Sequence, residues 1–284
     1  MKSTFLLLII SLVSLQLWAQ QDSVRRKTSV TAAILYNSDV SYYGQSTNEQ
    51  MPYALLNTTL RFPGGIYLSA GSYKLFNYGS GISATDLGMG FNYDLDDKWE
   101  LDLGYSRSFY PSNSPLLQAS NENNLNLSIT YSPVFFKSEL NADYAFGQQS
   151  DIFLSLDTSR EITLGNFFSD KNEFYIEPAI EMVAGSRSFY QTYTIAKGKR
   201  DKAKGKGPKS SGNSGNSGSA SENTVTTESR DFDLLSYNFK LPISLSRANY
   251  IAELSYQFSV LGRKAEEELK KQQSYFGLAF YYQF

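Results

Sequence analysis

Along most of this chain apolar residues recur at every second position, in about a dozen short runs and never in one long one. In an extended strand that period sends the two sets of side chains to opposite faces. At the C-terminus Phe276, Leu278, Phe280, Tyr282 and Phe284 share one face, and Tyr275, Gly277, Ala279, Tyr281 and Gln283 the other. Just upstream, Tyr250, Ala252, Leu254, Tyr256, Phe258 and Val260 oppose Ile251, Glu253, Ser255, Gln257 and Ser259. Leu235, Tyr237, Phe239, Leu241 and Ile243 alternate in the same way with Ser236, Asn238, Lys240, Pro242 and Ser244. Twelve runs follow this rule, at about 28–38, 54–62, 65–76, 82–93, 98–109, 123–131, 134–146, 151–165, 173–187, 232–245, 249–261 and 274–284. The pattern predicts an all-β protein: a transmembrane antiparallel up-and-down barrel of about 12 strands.

The connections support that reading. Every second one is tight, at Pro63-Gly64, Leu95-Asp96-Asp97, Ser132-Pro133, Asp170-Lys171-Asn172 and Ser246-Arg247-Ala248. The others include long segments at 39–53, 110–122, 188–231 and 262–273, although 77–81 and 147–150 are short. Short turns at one rim and long loops at the other, with an even strand number, place both termini on the periplasmic side. Aromatic residues make up 15% of the chain, yet mean hydropathy is only −0.35. Tyr93, Trp99 and Tyr131 beside turns, and Phe109, Tyr110, Phe189 and Tyr190 beside loops, match the two headgroup levels of a membrane. A soluble sandwich or lipocalin-like barrel would bury its apolar face, and a chain of this length would then need two domains and a linker.

Lys2, the apolar run Phe5 to Leu17 and the small residue Ala19 before Gln20 form a secretory signal peptide over 1–19. The run is too short for the roughly 20 residues a spanning helix needs. The expected organisation is a signal peptide at 1–19, a periplasmic segment at 20–27 and a barrel over 28–284.

The C-terminal Tyr281-Tyr282-Gln283-Phe284 resembles the strand signal of bacterial outer-membrane β-barrel proteins, and Ala19-Gln20-Gln21 is similar to the processing region of those from Bacteroidota. That resemblance implies a bacterial outer-membrane location, contact with membrane lipid and lipopolysaccharide, and a barrel-assembly machinery that reads Phe280, Tyr282 and Phe284. It leaves the substrate open.

With no Cys and no His, the chain has no disulfide, no Cys/His zinc site and no imidazole for a catalytic triad. No catalytic residue, metal or cofactor is expected, and the chain reads as a non-enzyme. The basic tract KGKRDKAKGKGPK at 197–209 opens a Gly/Ser/Lys-rich insert over about 197–222 that cannot bury apolar surface and is expected to be disordered. It reads as a tolerated loop insertion or as an arm for polyanions. A single basic tract on an acidic body gives no reason to expect nucleic acid as a partner. Glu266-Glu267-Glu268 with Lys270 and Lys271 would support a short loop helix.

With the apolar set facing lipid, the lumen receives Arg61, Asp86, Glu100, Asp102, Lys137, Glu139, Asn141, Asp143, Asp157, Glu161, Glu177, Glu181, Lys240 and Glu253, ten acidic residues against three basic. Lys137, Glu139 and Asp143, with Asp157 and Glu161 on the next strand and Glu177 and Glu181 on the one after, form one carboxylate wall. An open acidic lumen would prefer cations. The same groups paired with Lys137, Lys240 and Arg61 would instead fill a narrow barrel. Calcium is a third possibility, unsupported by any D-x-D-x-D-G spacing. The leading expectation is a narrow, cation-preferring pore or small-solute transporter, with Asp143, Glu139, Glu177 and Glu181 nearest the constriction. The alternative is a non-conducting structural or surface-interaction barrel, an accessory subunit of an outer-membrane complex. Arg107 and Arg160 misfit by facing lipid, through snorkelling or, at Arg160, a bulge that shifts Glu161.

Overall fold

The computed structural model describes residues 27–46, 49–111, 114–166, 171–186, 188, 232–262 and 270–284. The expected signal peptide at 1–19, the insert at 197–222, Phe189, Tyr190 and the Glu266–Glu268 run lie outside them, as does nearly all of segment 20–27.

Fourteen strand segments form one antiparallel sheet: β1 (Ser29–Asn37), β2 (Tyr53–Arg61), β3 (Ile66–Leu75), β4 (Ala84–Asp94), β5 (Trp99–Phe109), β6 (Asn123–Tyr131), β7 (Lys137–Phe146), β8 (Ser150–Ser159), β9 (Ile162–Gly165), β10 (Glu173–Ile176), β11 (Ala179–Gly185), β12 (Asp233–Arg247), β13 (Tyr250–Leu261) and β14 (Gln272–Gln283). β8 and β9 are one stave interrupted at Arg160-Glu161. β10 and β11 are another, interrupted at Glu177-Pro178, where proline cannot donate to the ladder. The segments therefore make a closed barrel of twelve staves. Each pairs with its sequence neighbour, β1 returns to β14 through Ala32 opposite Tyr282, and β11 bonds both β8 and β12.

Closure gives every strand a partner on both sides and leaves the outside apolar. Leu56, Leu87, Leu103, Leu127, Leu140, Leu154, Ile180, Phe239, Leu254 and Leu278 are all exposed on that outer face. Trp99 and Tyr131 lie with ring centroids 4.5 Å apart at the short-turn rim, and Phe136 continues the band. Local chemistry shapes that rim. Asp96 Oδ1 accepts from the Lys98 and Trp99 N–H groups at 2.7 and 2.9 Å, an Asx turn. The Phe284 N–H donates to the Val30 carbonyl at 2.9 Å, so the two ends of the barrel meet at this rim too.

Three details depart from simple alternation. Leu235, expected to face lipid, is buried inside, because the β11–β12 register shifts beside Val183 and Ala184 and the extra residue turns inward. Tyr110, expected in the outer girdle, follows Phe109 with opposite parity and packs against an interior cluster. At Arg160 the stave breaks without a register change, since Ile162 and Leu164 stay on the outer face of Ile152, Leu154 and Leu156. The Arg160 N–H donates to the Pro178 carbonyl at 3.2 Å. Arg107 does face outward, lying over the Phe109 ring at 5.3 Å and 4.0 Å from Glu122.

If the outer face lies in hydrocarbon, a charge at mid-strand is costly. Leu127→Arg is expected to destabilise the folded barrel by about 2–4 kcal/mol, against less than about 1 kcal/mol for a change near the rim. Urea unfolding in lipid vesicles measures the difference.

Candidate pore lumen

The interior is built in two tiers. In the first, inward-facing residues of β7, β8, β11 and β12 surround a polar chamber of about 300 Å³. Its walls carry Lys137, Glu139, Asp157, Glu177, Glu181 and Lys240, four carboxylates against two ammonium groups. Lys240 Nζ lies between two of them, 3.0 Å from Asp157 Oδ2 and 3.1 Å from Glu181 Oε2. Asn238 donates to the same Glu181 oxygen at 2.7 Å, and Asn141 donates to Glu139 at 2.9 Å. Ser159 donates to Glu177 at 2.7 Å. One lysine clamping two strands is a cross-wall tie, and the remaining carboxylates keep the chamber negative.

Two site residues sit elsewhere. Asp143 lies on the far side of Asn141, where it accepts from Asn124 at 3.2 Å and Asn126 at 2.9 Å. Glu253 faces Ser244 at 3.4 Å. The structure thus gathers Lys137, Glu139, Asp157, Glu177, Glu181 and Lys240, and leaves Asp143 and Glu253 out of the chamber. Phe280, Tyr282 and Phe284 are exposed on the outer face of the terminal strand, with Tyr282 and Phe284 in edge contact at 4.7 Å.

The second tier was not anticipated from sequence. The described residues of the segment joining β1 to β2 fold back into the barrel at its loop end and pack against the wall. Its tip is a tight turn in which Tyr42 and Gln45 exchange backbone hydrogen bonds of 2.7 and 3.0 Å. The two central residues, Tyr43 and Gly44, have φ of 51° and 79°, the left-handed pair that such a two-residue turn requires. For Tyr43 that conformation costs on the order of 1–2 kcal/mol. The contacts that offset it are with the wall. Tyr43 stacks on fully buried Phe153 with ring centroids 3.7 Å apart, among Ala145, Val183, Leu235 and Leu261. Ser236 donates to the Tyr43 carbonyl at 2.9 Å, and the Ser46 N–H donates to Gln273 Oε1 at 2.9 Å. The tip approaches β12 so closely that a Cβ on Gly44 would overlap Ser236 Oγ and Asn238 Oδ1.

A second cluster fills the other side of the mouth, with Val40, Met51, Leu75, Ala84 and Leu116 packed against Tyr53, Tyr73, Tyr78 and Tyr110. Here segment 110–122 contributes Leu116 ahead of a single 3₁₀ turn, Leu117–Ser120. Asp39 pins the base of the hairpin, its Oδ1 accepting from the Val40 and Met51 N–H groups at 2.9 and 2.8 Å. Burial holds the Asp39 carboxyl above its ordinary range, against those two hydrogen bonds and the attraction of Lys270. Burial likewise pushes the Tyr42, Tyr43 and Tyr110 phenols well up, so they stay neutral donors. The sequence signal for this plug was the apolar set Val40, Tyr42, Tyr43 and Met51 inside a supposed surface loop.

No protein-family description matches the chain, and no curated protein does. Solved structures similar in shape include a KdgM porin, with 10% identity, coverage of 90% of this chain and 99% of that one, and a TM-score of 0.47. A NanC porin is similar with 9% identity, 90% and 98% coverage and a TM-score of 0.43. LpxR from Salmonella typhimurium shows 10% identity, 89% and 99% coverage and a TM-score of 0.46. Likeness this distant carries no residue role across, so function rests on the chain's own lumen.

The Lys240 tie gives a direct test. Lys240→Met leaves Asp157 and Glu181 facing each other without their counter-charge and is expected to cost on the order of 1–3 kcal/mol. Adding Asp157→Asn and Glu181→Gln should restore part of that loss, as a mutant cycle in urea would show.

Proposed function

We propose that the protein is a bacterial outer-membrane barrel acting as a narrow, cation-preferring pore for small solutes, closed at its loop mouth by the inward hairpin of residues 38–52. Both termini and the short turns face the periplasm, and the long loops face outward. The observation that carries this reading is the negative polar chamber inside a closed barrel. A lumen whose only task is to be filled could be filled with apolar side chains, as it is in the clusters around Phe153 and Leu75. A water-accessible acidic wall instead attracts cations and disfavours anions.

A second reading is favoured by the plug itself. The Phe153–Tyr43 stack and the two apolar clusters seal the mouth as a protein core would, consistent with a non-conducting barrel that displays its loops to a partner in an outer-membrane complex.

Single-channel recording of the refolded protein, residues 20–284, in a planar bilayer under a salt gradient separates the two. The pore reading expects brief, rare openings with a cation-selective reversal potential. Gly44→Val, which forces the hairpin tip off β12, should raise open probability at least about tenfold, and Glu139→Gln with Glu177→Gln should move the reversal potential toward zero. A barrel that folds, as judged by heat-modifiable gel mobility, yet stays silent both as wild type and as Gly44→Val would establish the second reading.

The hairpin should also respond to pH. With its carboxyl raised by burial, Asp39 disfavours docking when ionised, so the docked state is firmest below the free carboxyl value of about 3.9. It loosens as pH rises through the raised value. Openings are therefore expected to be rarer at pH 4 than at pH 7, and Asp39→Asn should flatten that dependence.

A further inference from the structure

Beside the hairpin, under segment 110–122, lies a separate cavity of about 170 Å³. β4 contributes Asp86 to its wall and β6 contributes Asn124. The folded-in segments contribute Tyr42, Leu116, Gln118 and Asn121. Four of these residues present a buried side-chain oxygen with no hydrogen-bond partner among the described residues: Asp86 Oδ1, Gln118 Oε1, Asn121 Oδ1 and Asn124 Oδ1.

The two asparagine oxygens are fixed as acceptors by what their amide nitrogens do. Asn121 Nδ2 donates to Asp151 at 3.0 Å, and Asn124 Nδ2 donates to Asp143 at 3.2 Å. Asn121 is 6% exposed, so its side chain is largely shielded from bulk water. Ser108 and Tyr73 lie beside the Asp86 carboxylate, whose Oδ1 has no hydrogen-bond partner among the described residues. Buried acceptors are normally paired, and one isolated exception has many explanations. Three amide oxygens and one carboxylate oxygen that share a cavity, with no lysine or arginine among its described lining residues, have one chemistry in common, a demand for a positively charged donor.

We propose that this cavity binds a small protonated primary amine, with ammonium as the minimal case. A primary ammonium brings three N–H donors, the number that the carboxylate and the two fixed amide oxygens accept. Tyr42, Tyr73 and Tyr110 also line the cavity, and Leu116, Ala84 and Ala145 leave an apolar side for a short alkyl group. A hard divalent ion fits poorly, since one carboxylate with neutral oxygens lacks the charge that calcium sites supply. The inward segments that build half of the wall also cover it, so the amine stabilises the plugged conformation.

Binding does not require the barrel to conduct, so a silent bilayer and an empty cavity are separate failures. The test is calorimetric titration of the full refolded barrel with methylammonium chloride at constant ionic strength, repeated with potassium and tetramethylammonium chlorides. Saturable binding near one per barrel is expected for methylammonium. Weakening of at least about tenfold is expected in Asp86→Asn, following loss of a charged hydrogen bond. Asn124→Ala serves as a second variant should Asp86→Asn fail to fold. Tetramethylammonium, which has no N–H, should not compete. The proposal is overturned if no saturable binding occurs, in which case ordered water satisfies the four oxygens. It is equally overturned if potassium or tetramethylammonium binds as well as methylammonium, or if both variants bind like wild type.

Discussion

A backbone N–H or C=O left unpaired in hydrocarbon costs several kcal/mol, and every other feature of this protein follows from meeting that cost all the way round. Each stave bonds two neighbours, and β1 meets β14 in an unbroken register from Thr31 opposite Gln283 to Asn37 opposite Gly277. Once the ring closes, each strand has an inside and an outside, and the two-residue period of the sequence becomes a radial sorting rule. The outer set of Leu, Ile and Phe is then compatible only with lipid, because a closed ring of this size cannot bury it. Proline shows how tightly the rule binds. Pro242 sits mid-strand and faces inward, and its carbonyl still accepts from Glu177 at 3.2 Å, so its missing donor interrupts the ladder at one point only.

Closure creates a second problem, the volume inside. The chain solves it differently at the two ends of the lumen. Toward the loops it brings back its own apolar residues and accepts a left-handed Tyr43 to turn the hairpin at the right depth. Toward the turns it leaves a chamber lined by charge and ties two strands together through Lys240. A packed tier above a hydrated tier is the arrangement expected if the upper one can move. The hairpin tip is held by side-chain hydrogen bonds and aromatic contacts with Phe153 rather than by ladder bonds to the wall, while its base is tied by the Ser38 N–H to the Phe276 carbonyl and packed in the apolar clusters.

Strand number, the lipid-facing sets and the inward carboxylates were legible because each depends only on parity within a strand. What was not legible depends on events between strands. The inward turn of Leu235 is set by an extra residue opposite β11, which no local pattern marks. The Arg160 break was visible as a misfit, but its cause, Pro178 in the neighbouring stave, lies eighteen residues away. Tyr110 could have been placed by extending the parity of β5 one step; treating it as a headgroup aromatic set that rule aside. The hairpin was missed because a loop between two strands is read as solvent-exposed by default. Its apolar composition argued otherwise.

The same contrast separates the two polar regions of the lumen. Around Lys240 the carboxylates already have their counter-charge and donors, Asp157 and Glu181 through the ammonium, Glu177 through Ser159 and Glu139 through Asn141. Around Asp86 the donors stop short: Asn121 and Asn124 spend their N–H groups outward on Asp151 and Asp143, and their oxygens are left to face the cavity. Rotating either amide would satisfy the cavity only by abandoning a carboxylate. The orientation that leaves acceptors open is therefore enforced by neighbouring charge. A wall so constrained leaves its acceptors to whatever donor fills the cavity, whereas the carboxylates of the chamber below already have theirs.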